Sequence, residues 1–141
     1  MHLEPEQIAK LPKEQQMRLL ELLREQKERV KFNKKDHFNL YEWQQGLANS
    51  TTDAHQVLAM CANQIGKSTS GAYITACHLT GIYPDWWEGN RFDKPIYCWA
   101  AGVSNDTTRD ILQTELFGLA ESESEWGTGM VNLSMIGEKT R

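Results

Sequence analysis

The stretch VLAMCANQIGKSTSGAYITACHLTG, residues 57–81, decides how this chain is read. A continuous apolar run from Val57 to Ala62 has the pattern of a strand buried on both faces. It meets Gly66-Lys67-Ser68, and Lys67 to Thr80 then reads as a helix that Gly81 terminates. A tight turn between an apolar run and a helix N-terminus is the setting of a phosphate-binding loop. Backbone N–H groups at the helix start converge on phosphate oxygens there, and the helix dipole adds to the attraction. In such a loop Gly66 permits close backbone approach, Lys67 neutralises charge on the β- and γ-phosphates, and Ser68 supplies a hydroxyl to a Mg²⁺ shell. Asn63, Gln64 and Ile65 form the turn over the phosphates. The first glycine usual in this motif is replaced by Cys61.

Downstream, PIYCWAAGV (95–103) is a second buried-strand pattern, rich in β-branched and aromatic residues at its start. SNDTTRDILQTELFGL (104–119) follows, with Ser104 or Asn105 as a helix cap and Asp106 in the first turn. Strand, helix, strand, helix in that order predicts an α/β chain with a parallel sheet. Upstream, the sequence from Glu4 to Lys35 reads as a helix entered at Pro12, with an apolar face of Met17, Leu19, Leu20, Leu22, Leu23 and Val30. A connector with Phe38, Tyr41 and Trp43 as aromatic anchors leads into a short helix near Leu40, which ends at 50–53. Within it, the Gln44 side chain is able to donate to and accept from the edge of an adenine, while Tyr41 or Trp43 stacks on the base or anchors the segment. The loop YPDWWEGNRF (83–92) is read as held to the domain by Trp86 and Trp87.

The bulk numbers set limits on function. A chain of 141 residues suits a single core. A net charge of −4 argues against a basic nucleic-acid-binding surface over the whole length, leaving a local basic patch between Lys27 and Lys35. The N-terminus has no signal-peptide pattern, and no apolar run reaches the length of a membrane span. Cys61, Cys77 and Cys98, an odd count in apolar segments, suit buried thiols in a reducing cytoplasm. No cysteine or histidine spacing of a zinc site is present.

YEWQQGL, the loop with its helix through HLTGIYP, and RFDKPIYCWAAGVSNDTTRDILQTELFG together resemble the large terminase subunit of tailed double-stranded-DNA phages, in the branch of short-tailed phages that package by the headful. LPKEQQMRLLELLREQ (11–26) is similar to the leading helix of that family. The resemblance implies a partial P-loop NTPase fold (RecA-like, ASCE), a parallel sheet with flanking helices, spanning 37–141 after an N-terminal helical segment at 1–36. It implies that 61–68 are the Walker A loop and that Gln44 contacts adenine. The expected ATP-binding residues are then Gln44, Ala62, Asn63, Gln64, Ile65, Gly66, Lys67, Ser68 and Thr69, with Ser68 in the Mg²⁺ shell. Asn63 stands where some relatives carry a loop arginine and cannot supply that charge.

The family reading implies an ATP-driven motor that moves DNA into a procapsid and cuts concatemers, working in the bacterial host cytoplasm at the portal. The portal protein, the small terminase subunit and double-stranded DNA would be its partners. No Asp-Glu dipeptide occurs in the chain, so no Walker B carboxylate pair is found and no catalytic residue is assigned. The chain reads as the first part of such a protein, binding ATP with little or no hydrolysis. The alternative is a non-catalytic docking module that binds the portal, the small subunit or another copy of itself through the N-terminal helix. A helicase-like ATPase is a third reading.

Overall fold

In the computed structural model the described residues are 11–119, 121, 122 and 124–137. The chain divides into two compact units, Met1–Lys31 and Phe32–Arg141. Helix α1 (Lys13–Phe32) follows Pro12, whose carbonyl accepts from Gln16 N at 3.0 Å. Proline suits this start because its missing N–H would lack an intrahelical partner there in any case. None of the α1 residues is buried, and Met17, Leu20, Leu22 and Val30 are exposed. The portion of the expected helix before residue 11 lies outside the described residues.

In the second unit, α2 (Lys34–His37) and α3 (Glu42–Asn49) precede a 3-10 turn (Ser50–Thr52). Helix α4 (Lys67–Thr80) is bounded by glycines in the left-handed region, Gly66 at φ 87° and Gly81 at φ 68°. The Gly81 N–H donates to the Cys77 carbonyl at 2.9 Å and closes the helix C-terminus. A short helix α5 (Asn105–Thr107) runs into a π-helical segment (Thr108–Gln113) and then α6 (Thr114–Phe117). Its cap is Ser104, whose Oγ accepts from Thr107 N at 3.2 Å, and Asp106 lies in the first turn. The π winding in the middle is a departure from the continuous α-helix expected for this stretch. A second 3-10 turn (Leu133–Met135) follows near the end of the described residues.

The core forms around the inner face of α4. Ala72, Tyr73, Ala76 and Cys77 repeat at helical spacing and are buried with Leu40, Ala48, Trp87, Leu116, Met130 and Val131. Trp87 is 3% exposed, and Trp86 stacks on Tyr73 with ring centroids 6.3 Å apart. The two tryptophans therefore fix the 83–92 loop as expected. Residues 130 and 131 are held along α6 by Met130 N to the Glu115 carbonyl at 2.9 Å and Val131 N to the Leu116 carbonyl at 2.8 Å.

The parallel sheet expected from the two apolar runs is not formed. Among the described residues there is no strand, so the α/β P-loop class is corrected to helices joined by long irregular segments. Segments 57–62 and 95–103 make no backbone–backbone hydrogen bond with each other, and apart from the half-buried Cys61 and Ile96 their apolar side chains face solvent. Leu58 is 82% exposed, Met60 84%, Tyr97 99% and Trp99 94%. The physical reason is that a strand is held by its ladder partners, and two short apolar segments do not by themselves make a stable parallel sheet. The cysteines also depart from expectation: Cys77 is buried and Cys61 half-buried, but Cys98 is exposed.

Candidate functional site

The loop entering α4 is shaped by two residues in the left-handed region, Gln64 at φ 61° and Gly66 at φ 87°. For Gly66 this conformation carries no Cβ penalty; for Gln64 it is sterically costly. Lys67, the first residue of α4, turns back into the loop. Its Nζ donates to the Cys61 carbonyl at 3.2 Å and to the Ala62 carbonyl. The lysine thus closes the loop with its own charge, held over two main-chain oxygens. The first N–H groups of α4 have no acceptor within the helix and lie at the positive end of its dipole.

The Gly66 carbonyl is a junction. It accepts from Ser70 N at 2.9 Å, from Ser70 Oγ at 2.7 Å and from Gln44 Nε2 at 3.4 Å. Gln44 is 1% exposed, and its Oε1 accepts from Tyr41 N at 2.9 Å, capping α3. One amide therefore ties the start of α3 to the loop glycine. Each end of that amide keeps one further hydrogen-bonding position.

An open groove of about 1180 Å³ runs between these elements, lined by Tyr41, Trp43 and Gln44 on one side and by Gln64, Ile65, Gly66 and Thr69 on the other. Tyr41 is 70% exposed and Trp43 37%, and both line the groove; Phe38 lines it too and also packs against the core. Lys67 and Ser68 line a separate cavity of about 380 Å³ with Gly71, Trp99 and Leu112. Of the candidate residues from the sequence, Gln44, Gln64, Ile65, Gly66 and Thr69 line the first hollow, Lys67 and Ser68 the second, and Ala62 and Asn63 neither. Ala62, Asn63 and Ser68 are exposed.

Lys34 and Glu115 were not singled out from the sequence as part of this site. Thr69 Oγ1 donates to Glu115 Oε1 at 3.3 Å, and Glu115 Oε2 is paired with Lys34 Nζ at 3.1 Å. Residues separated by 81 and 46 positions meet there, a proximity that no local motif encodes. Among the described residues there is no cluster of three or more His, Cys, Asp or Glu able to hold a metal. No helix of the described residues is long and apolar enough to cross a membrane.

Comparison with known proteins supplies the family. Over the stretch that it spans, the chain belongs with the large terminase subunits of phages. The particular relative is the terminase large subunit of Salmonella phage P22, 33% identical in an alignment that covers 88% of this chain. The chain spans only 27% of that protein's length. No family model and no solved structure matches the chain.

Proposed function

We propose that residues 62–69 and Gln44 bind ATP with Mg²⁺, as the nucleotide-binding portion of a phage DNA-packaging motor. The single observation that carries this reading is the Lys67 ammonium folded onto the carbonyls of Cys61 and Ala62 beneath a left-handed Gly66. On this reading the triphosphate takes the place of those carbonyls on Lys67 and meets the first-turn N–H groups of α4. Ser68 enters the Mg²⁺ shell. The base lies in the groove against Tyr41 or Trp43 and uses the spare hydrogen-bonding positions of Gln44. The chain's own part is binding rather than turnover, since its sequence holds no paired Asp-Glu carboxylates. The wider role in this proposal is translocation of double-stranded DNA with the portal and the small terminase subunit, a reading supported by the chain's kinship with a phage terminase large subunit.

Calorimetric titration of Mg²⁺–ATP into the chain tests the reading, with Lys67→Ala as the comparison. Loss of a charge-assisted contact should weaken binding about tenfold or more while α4 stays helical by circular dichroism. Equal affinities for the two proteins, or no binding by the parent, would refute the assignment.

A further inference from the structure

We infer that the Lys34–Glu115 ion pair sets the phosphate affinity of the loop and its preference for a triphosphate over a diphosphate. The inference rests on the nucleotide-binding reading above and concerns two residues outside the loop. Glu115 places a carboxylate at the first turn of α4, with Oε1 3.3 Å from the Thr69 hydroxyl. Thr69 lines the same groove as Gln64, Ile65 and Gly66. An anion at a helix N-terminus is itself stabilised by the dipole, and it competes with any other anion drawn to that end. Lys34 Nζ, 3.1 Å from Glu115 Oε2, offsets that negative charge. The net field that a phosphate meets at the start of α4 therefore depends on both members of the pair.

The exposure of the pair separates this role from a purely structural one. The side chains of Lys34 and Glu115 are 37% and 28% exposed, a setting in which an ion pair adds little to stability. Removing either charge should leave the fold in place and change the potential at the loop. A triphosphate carries more charge than a diphosphate and responds more strongly.

Three variants of the full chain test this: Lys34→Met, Glu115→Gln, and the two combined. The readouts are titrations with Mg²⁺–AMP-PNP and with Mg²⁺–ADP. The amide oxygen that Glu115→Gln introduces still accepts from Thr69, so this variant removes charge while keeping the hydrogen bond. Glu115→Gln should tighten AMP-PNP roughly two- to fivefold, Lys34→Met should weaken it by a similar factor, and the double variant should return near the parent. ADP should shift in the same directions by less, and all shifts should shrink as salt rises. A pair that only props the loop would give weakening in both single variants, equally for both nucleotides. That result overturns the inference, as do unchanged affinities with the parent still binding. No binding by the parent overturns the nucleotide reading, and this inference with it.

Discussion

Gly66 and Gln64 share a left-handed backbone but have opposite reasons for it. Gly66 is required there: a Cβ at this position would meet Gln44 Nε2 at 3.0 Å and carry the steric cost of φ 87°. Gly66→Ala should therefore lower stability by about 1–2 kcal/mol. Gln64→Gly should be neutral or stabilising by at most about 1 kcal/mol, because relief of φ 61° is set against greater freedom of the unfolded chain. Urea unfolding of both variants checks this, and an alanine variant as stable as the parent contradicts the role given to Gly66. The sequence singled out Gly66 by its place before Lys67-Ser68, as a point of close backbone approach to a phosphate; its left-handed turn came only with the fold. The contact of Gln44 with the Gly66 carbonyl was not, because the two lie 22 residues apart and only the fold joins them. The same holds for Glu115, which looks like any surface glutamate until Thr69 and Lys34 are placed against it.

Helix α4 and segments 57–62 and 95–103 show what an apolar pattern does and does not specify. The α4 helix was readable because every signal is local: a glycine before Lys67, a glycine after Thr80, and Ala72, Tyr73, Ala76 and Cys77 on one face. The two apolar segments looked like buried strands because apolar side chains favour burial. Burial in a sheet also needs a ladder partner, which composition does not supply. Tyr97 and Trp99 accordingly project into solvent. Hydrogen exchange should separate these elements. Amides in 57–62 and 95–101 should exchange at nearly unprotected rates, while those in the second half of α4 should be protected through their helical bonds and the core beneath them. Strong protection across 95–101 would mean that this segment is paired in solution and contradict its description as an irregular, solvent-facing connector.

The stability of the protein over pH brings together three groups on α4 and the loop packed over them. Burial holds the His78 ring below its ordinary pKa of 6.5; its Nδ1 is 3.1 Å from the Tyr83 hydroxyl, and Trp87 and Phe92 meet the ring edge-on. Burial first, with the nearby Asp36 adding and Lys35 opposing, pushes the Cys77 thiol from 9.0 to about 11. Burial, with Cys77 and Asp36 adding, raises the Tyr73 phenol from 10.0 to about 12. The fold therefore favours the neutral form of all three. Below pH 6.5 the unfolded chain takes up a proton at His78 that the folded chain resists, so stability falls until the folded ring also protonates. Above pH 9.0 the unfolded chain releases protons from Cys77, and above 10.0 from Tyr73, while the folded chain holds them, so stability falls again. For these groups the optimum is a plateau between roughly pH 7 and 9. The aromatic loop was legible as an anchor from Trp86 and Trp87, but the enclosure of His78 was not, since its neighbours come from residues 83–92 folding back over the helix. Urea unfolding from about pH 5 to about pH 10 should show the plateau, and His78→Gln should flatten the acid limb while leaving the alkaline one in place. Cys77→Ala should do the reverse, at the added cost of a small cavity. Acid limbs of equal steepness in the parent and the His78→Gln variant would remove His78 as their source.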